Sequence, residues 1–180
     1  MPITPFHFGP GAALHAMAPS HISFLAFVAA NVLIDVEPLY YMVTAQFPLH
    51  RTFHTYLGAT AVAAAVVLLH AGGRALQSHL PDLFGWKSLG RQPVALGAAA
   101  GVYSHVALDS LMHADMHPFW PLSSANPMLD AIGLPVLHGA CFMVGIVASL
   151  WLGWQRIAWP AREPKRELSH EGRPDIRRST

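Results

Sequence analysis

The sequence predicts an all-α integral membrane protein, a bundle of four transmembrane helices with a short N-terminal half-membrane helix. Apolar residues make up 53% of the 180 residues, whereas charged residues make up only 12%. Four stretches approach or exceed the roughly 20 apolar residues that a membrane span needs. None of the four contains lysine or arginine. Composition and span length together exclude an ordinary water-soluble domain.

The first element is a short helix over residues 11–18 that Pro19 closes. It is too short to cross a bilayer, so we expect it to lie in one half of the membrane against the first span. Such a segment is tolerated where protein covers its backbone ends. The first span covers residues 20–41, and Pro38 is expected to break or kink it.

The remaining spans cover residues 53–71, 93–113 and 131–154. Residues 1–157 therefore form one transmembrane helical domain. The last segment, residues 158–180, is polar, charged and rich in proline and arginine, which predicts a disordered basic tail. Membrane lipid is the expected partner of this tail and of the protein as a whole, and no nucleic-acid partner is expected.

The basic residues are segregated along the chain. Of the eleven lysines and arginines, seven lie from Arg156 onward and three lie between the second and third spans. Only Arg51 lies in another loop. Because cytoplasmic loops carry an excess of basic residues, the tail and the loop between spans two and three are predicted to be cytoplasmic.

Residues 105–117, where the third span gives way to an outer loop, contain three histidines and two aspartates. His105 and Asp109 are four residues apart and therefore share one face of a helix. An imidazole and a carboxylate at this spacing can hold a divalent metal. The alternative is a hydrogen bond between helices without metal. His113 and His117 are alternate ligands or rim residues.

A second pair of histidines stands at the entrance to the second span. His50 and His54 are four residues apart, so one face of a helical turn would offer two nitrogen ligands. The alternative is a hydrated pair at the membrane boundary. Arg51, next to His50, is a candidate clamp for phosphate or carboxylate, because a guanidinium group binds such oxyanions in a bidentate way. It could equally be a boundary arginine that extends toward water.

Asp35 and Glu37 lie near the outer end of the first span. Carboxylates in an apolar helix need partners, which a metal or the histidines would supply. The alternative is a hydrogen bond to tyrosine or histidine. If the N-terminal helix and the first span form a hairpin that turns at Pro19, His7 lies level with Asp35. His7 is then either a ligand or a helix-entry residue, and His138 is expected to be a core histidine.

The order of these motifs resembles the bacterial inner-membrane metal-dependent hydrolases. It consists of an early histidine, Ile-Asp-x-Glu-Pro, His-Arg-x-x-His and His-x-x-x-Asp, and covers about residues 1–140. It also looks like a reduced version of zinc-dependent phospholipase C. In the family the histidine motif usually has one residue more between its histidines. The phospholipase motif His-x-x-x-Glu is absent, because Phe142 follows His138 by four residues.

The resemblance implies a hydrolase in the bacterial inner membrane that acts at the extracytoplasmic interface on a phospholipid or a lipid-linked ester or phosphoester. A divalent metal, best zinc, would lower the pKa of a bound water to about 7. Glu37 or Asp115 would be the general base, and Arg51 would hold a phosphate. The implied metal ligands, with His50 as an alternate for one of them, are His7, Asp35, His50, His54, His105 and Asp109.

Two other classes of function are compatible with the sequence, which leaves enzymatic activity open. A non-catalytic metal-binding protein or carrier would use the same ligands, but a carrier needs a polar path to the cytoplasmic side. The inner halves of the spans are almost wholly Ala, Val, Leu and Gly. A structural bundle would use His and Asp to join helices, so that these residues pair with each other without metal.

Overall fold

The structure, a computed structural model, describes residues 5–158, with Pro5 described by its backbone alone. These residues form helices and connecting turns and contain no strand, which confirms the predicted all-α fold. The predicted disordered tail lies outside the described residues from position 159 onward. The helices are α1 (Phe8–Met17), α2 (Phe24–Ile34), α3 (Val36–Val43), α4 (Tyr56–Ala75), α5 (Arg91–Met112) and α6 (Leu134–Ala158).

Four helical segments are long and apolar enough to cross a membrane. The first is Phe24–Val43, which joins α2 and α3, and the other three are α4, α5 and α6. The predicted spans are therefore confirmed, with ends that differ by a few residues. Helix α1 has ten residues, too few to cross a bilayer, as the sequence predicted for the N-terminal helix.

The first span is broken at Asp35. Helix α2 ends at Ile34 and α3 begins at Val36. Pro38 has no N–H group to donate to the carbonyl of Ile34, and proline is tolerated in the first turn of a new helix. The expected interruption therefore lies three residues before the proline, and it places Asp35 between two helices.

Glycines on α5 allow it to lie very close to α2. A Cβ atom at Gly97 would collide with the carbonyl oxygen of Ser23, and one at Gly101 would lie 2.7 Å from the carbonyl oxygen of Phe27. Small residues four positions apart commonly bring membrane helices together in this way. Because both contacts advance by four residues on each helix, α2 and α5 run parallel.

The same step of four residues continues toward the end of both helices. Asn31 and His105 come next, and the Oδ1 atom of Asn31 lies 3.0 Å from the Nδ1 atom of His105. Asp35 and Asp109 follow, with carboxylate oxygens within 4.8 Å of each other. The glycine contacts thus set the register in which the polar residues meet.

An apolar core fills the space between α2, α4 and α5 below these polar residues. It consists of small and β-branched side chains, which suit closely packed membrane helices. Its buried members are Ala26, Ala30, Ile34, Ala59, Val62, Val66, Val94, Ala98, Val102, Val106 and Met116.

Helix α1 packs along α6 and returns the N-terminus to the polar end of the bundle. A Cβ atom at Gly9 would collide with the carbonyl oxygen of Cys141, and the Cα atom of Gly9 lies 3.1 Å from a Cβ position at Gly145. The chain reverses after Met17 before α2 begins at Phe24. This hairpin carries His7 to the level of Asp35, as the sequence predicted.

The two ends of the bundle differ in charge. Arg74, Lys87, Arg91 and Arg156 lie at or just beyond the end of α4, the start of α5 and the end of α6, which share one end of the bundle. Arg51 lies in the loop before α4, at the other end, where the polar residues meet.

Substitution of Gly97 by alanine should destabilise the protein, because the new Cβ atom would collide with backbone that cannot move cheaply. We expect a loss of about 1–3 kcal/mol in the free energy of unfolding, measured as a lower midpoint of thermal denaturation in detergent. Gly72→Ala is the matched control, since its Cβ atom would meet nothing within 4 Å. Equal midpoints for the two variants would contradict the proposed close contact.

Candidate metal centre

Two buried aspartates form the centre of the polar cluster. Asp35 lies at the break between α2 and α3, and Asp109 lies on the last full turns of α5. They are only 5% and 3% exposed, respectively. Buried carboxylates are costly unless they are paired or coordinate a metal. The residues around them therefore decide what this cluster can bind.

The Nε2 atoms of two histidines point at these carboxylates. His105 Nε2 lies 3.2 Å from both Asp35 Oδ1 and Asp109 Oδ2. His54 Nε2 lies 3.7 Å from the same two oxygens. Two ligands of a tetrahedral ion bound at about 2.1 Å are separated by about 3.4 Å. The four ligand atoms are therefore spaced as one coordination shell requires, and the group can hold a metal ion.

These histidine nitrogens are not used in hydrogen bonds. Over residues 5–158, the Nε2 atoms of His7, His54, His70 and His105 are buried and have no hydrogen-bond partner. A buried polar atom left in this state costs about 1–3 kcal/mol. His70 lies away from the cluster, but the other three atoms converge on two carboxylates, which favours a bound cation over a purely structural cluster joined by hydrogen bonds.

The opposite ring nitrogens of the two ligand histidines are occupied. His105 Nδ1 lies 3.0 Å from Asn31 Oδ1, and Asn31 itself donates to the carbonyl of Phe27 at 2.9 Å. His54 Nδ1 lies 3.4 Å from Glu37 Oε2. Histidines that bind metals almost always donate this N–H group to an acceptor, which fixes the tautomer and the ring orientation. Both rings are therefore held with Nε2 facing the carboxylates.

Glu37 is held in place by the loop that carries His54. Its Oε2 atom accepts the backbone N–H groups of Phe53 at 2.9 Å and Arg51 at 3.3 Å. The sequence proposed Glu37 as a general base, and the structure places it behind His54. This contact orients a ligand, while the catalytic role stays a prediction.

Asp115 holds His50 in the same manner. Its Oδ1 atom lies 2.9 Å from His50 Nδ1, and its Oδ2 atom accepts the backbone N–H groups of Leu49 at 2.9 Å and His50 at 3.1 Å. Unlike Glu37, the Asp115 side chain is 32% exposed. Asp115, the other residue predicted as a general base, therefore contacts a histidine and is also partly exposed to solvent.

His50 and His54 do not share a helical turn, so that expectation is wrong. Helix α4 begins only at Tyr56, and residues 50–55 form bends and turns. The two side chains go to different groups. His54 joins the group of Asp35, whereas His50 joins Asp109 and His113 in a second group whose ligand atoms lie within 4.8 Å of one another.

Of the remaining histidines, some reach the cluster and others do not. His7 Nε2 lies 3.2 Å from Asp109 Oδ1, so the N-terminal segment does reach the cluster. His117 Nδ1 lies 2.6 Å from the backbone carbonyl of Ser124 in the outer loop. His138 stacks on Phe6, with ring centroids 4.4 Å apart. Neither His117 nor His138 belongs to a ligand group among the residues described.

Arg51 lies at the edge of the cluster. Its Nε atom donates to the carbonyl of Pro48 at 2.9 Å, and its guanidinium group lies 3.6 Å from the centroid of the Tyr41 ring. A cavity of about 190 Å³ lies between Arg51, His50 and His117. The predicted role of Arg51 as a phosphate clamp stays a prediction, and its position beside this cavity is compatible with it.

The local electrostatics favours neutral imidazoles on the outer side of the cluster. Burial, together with the neighbouring His54, lowers the pKa of His50. Burial also lowers the pKa of His113. Burial would raise the pKa of Asp115, but its hydrogen bonds with His50 outweigh this effect and lower it. At neutral pH these residues therefore present nitrogen lone pairs next to an ionised carboxylate.

Sequence reasoning did not assign a role to Asn31. The signal was available, because Asn31 precedes Asp35 by four residues just as His105 precedes Asp109. Two pairs of polar residues with the same spacing of four, one pair on each of two neighbouring helices, indicate that the pairs face each other. The step of four at Gly97 and Gly101 would have supplied the register between them.

Comparisons with known family models, with curated proteins and with solved structures find no match. The geometry of the residues shows that the group could hold a metal ion.

Replacement of Asn31 by leucine should weaken metal binding, because His105 Nδ1 would lose its acceptor. We expect the affinity for zinc to fall about 10–100-fold, measured by competition with a chromophoric chelator. Asn31→Asp is the matched variant, since it keeps an oxygen acceptor at the same position and should bind zinc far better than Asn31→Leu. Equal affinity of Asn31→Leu and the wild type would show that this contact does not support the metal.

Proposed function

We propose that this protein is a membrane-embedded metal-dependent hydrolase that acts at the extracytoplasmic membrane interface. The observation that carries the proposal is the convergence of buried histidine Nε2 atoms without hydrogen bonds on two buried carboxylates. Zinc is the ion that such a set of imidazole and carboxylate ligands suits best. The proposed ligands of the first ion are Asp35, His54, His105 and Asp109.

A divalent ion bound in this cluster would supply a water with a pKa of about 7 and would polarise an ester or phosphoester bond. The chain must then provide a group that takes a proton. Asp115 suits this role better than Glu37, because it is the more exposed of the two carboxylates. Arg51, beside the cavity next to His50, would hold the phosphate of the substrate.

The closed lower half of the bundle favours a hydrolase over a carrier. A carrier needs polar groups along the whole path, but the core between α2, α4 and α5 is apolar from Ala30 down to Ala26. Among the buried polar groups that the structure describes, Ser23 and the Nε2 atom of His70 lie toward the far end, and no continuous polar path joins them to the site. The site therefore opens at one end of the bundle.

The orientation follows from the charge at the two ends. The end opposite the site carries Arg74, Lys87, Arg91 and Arg156, whereas the site end carries Arg51. By the positive-inside rule, the site faces the extracytoplasmic side and the C-terminal tail lies in the cytoplasm. The resemblance of the motif order suggests the bacterial inner membrane.

The surroundings of the site favour a lipid substrate. Phe47 and Leu122 in the two loops at this end are 78% and 95% exposed, and Trp120 beside the cavity is half exposed. Aromatic and apolar side chains of this kind lie at the level of lipid headgroups. A phospholipid or a lipid-linked phosphoester would meet the site without leaving the membrane.

Elemental analysis of the detergent-purified protein tests the metal. The wild type should contain zinc, iron or manganese in stoichiometric amount, and His105→Ala and Asp109→Ala should lose most of it because each removes a ligand. His79→Ala is the control, since His79 lies after α4 at the opposite end of the bundle. A well-folded wild type that binds none of these metals would contradict the proposal.

Hydrolysis is tested with phospholipid vesicles that contain the purified protein. Headgroup or phosphate release should stop on chelation and return on addition of zinc. Asp115→Asn should lower the rate by about 100-fold or more if Asp115 is the base. Asp130→Asn is the matched control in the same loop. A protein that binds metal but releases no product from any phospholipid class would instead be a non-catalytic metal-binding protein.

A further inference from the structure

We propose that the cluster holds a second divalent ion at His50, Asp109 and His113, and that this second ion has the coordination position open to substrate. The inference rests on the proposed function, and it identifies the ion at which the substrate would react.

Asp109 is placed to bridge two ions. Its Oδ2 atom lies 3.2 Å from His105 Nε2, and its Oδ1 atom lies 3.2 Å from His7 Nε2. The two oxygens of one carboxylate are thus directed at nitrogen atoms from different chain segments. Hydrolytic sites with two metals commonly hold them about 3.5–4 Å apart, a distance that a bridging carboxylate can span.

A second set of nitrogen atoms, from His50 and His113, lies beside Asp109, and His50 approaches the same Oδ2 atom as the first group. His50 Nε2 lies 3.8 Å from Asp109 Oδ2, and the rings of His50 and His113 stack with centroids 4.4 Å apart. Asp115 holds His50 Nδ1 at 2.9 Å, so that Nε2 is the nitrogen presented to an ion. This is the same arrangement that Asn31 provides for His105 in the first group.

His7 gives an independent indication of a ligand on this side. It is 3% exposed, and its Nε2 atom has no hydrogen-bond partner although it lies beside Asp109 Oδ1. His7 is a member of neither ligand group. A second ion beside Asp109 would explain why a buried imidazole nitrogen is aimed at its Oδ1 atom.

The number of protein ligands distinguishes the two positions. The first group offers four, which fills a tetrahedral shell, and all four residues are buried. The second group offers three, and His113 is only partly buried. Structural zinc sites are closed by four protein ligands, whereas catalytic sites have three and leave one position open. The cavity beside His50 lies next to the second group.

Metal counting tests the second ion without reference to activity. The protein is stripped with a chelator, loaded with excess zinc, desalted and analysed. The wild type should retain two ions per chain and His113→Ala one, because the first group is intact in that variant. His79→Ala, the control at the far end of the bundle, should retain two. One ion in the wild type, or two in folded His113→Ala, would overturn the inference.

Loading with manganese gives a second measurement in case His113→Ala folds poorly. Two manganese ions that share Asp109 should show a spin-coupled electron paramagnetic resonance spectrum, and the milder variant His113→Gln should convert it to that of an isolated ion. An isolated-ion spectrum in the fully loaded wild type would contradict the bridge.

These results separate the second ion from the proposed hydrolase activity. A wild type that hydrolyses phospholipid with one ion per chain would overturn the second ion and retain the function. A wild type that binds two ions but hydrolyses no phospholipid would support the second ion and reject the function. If both hold, His113→Ala should lose hydrolysis while it retains one ion.

Discussion

The structure depends on how two carboxylates are accommodated in an apolar bundle. Asp35 and Asp109 face each other between α2 and α5, where both are almost fully buried. Separated from compensating charge, such a pair would oppose the helix packing that buries it. Two of the surrounding histidines are oriented through their Nδ1 atoms, His105 by Asn31 and His54 by the Glu37 carboxylate. A bound cation would complement this arrangement, and its binding would also stabilise the fold.

The precision of the cluster comes from backbone packing, because the side chains are carried by helices whose register is fixed. Gly97 and Gly101 allow α5 to lie against the backbone of α2, and bulkier residues there would separate the helices. The polar pairs lie one and two steps of four residues farther along. A shift of even one residue between the helices would move Asp109 away from Asp35. Stability of the helix pair and geometry of the site are therefore set by the same contacts.

The sequence predicts the helical parts of this structure much better than the loops. The spans, the broken end of the first span and the shared level of His7 and Asp35 follow from apolar length, proline and hairpin geometry. The turn before α4 did not follow, because its shape depends on distant contacts such as that of Asp115 with His50. A spacing of four residues places two side chains on one face only when both residues lie on a helix. His105 and Asp109 satisfy that condition, whereas the pair of histidines before α4 does not.

The cluster lies at one end of the bundle, so its inner side is buried and suited to holding an ion, whereas its outer side is open to a substrate in the proposed function. The inner residues Asp35, His54, His105 and Asp109 are buried above the apolar core, which would favour a tightly held ion over one that exchanges with the far side of the membrane. The outer ligands meet the loops that carry Arg51 and Trp120 beside an open cavity. Asp109 belongs to both sides, so an ion on the inner side would fix the carboxylate that the outer side uses. In the proposed hydrolase, the loops would therefore set the access of substrate, while helix packing fixes the position of the Asp109 carboxylate.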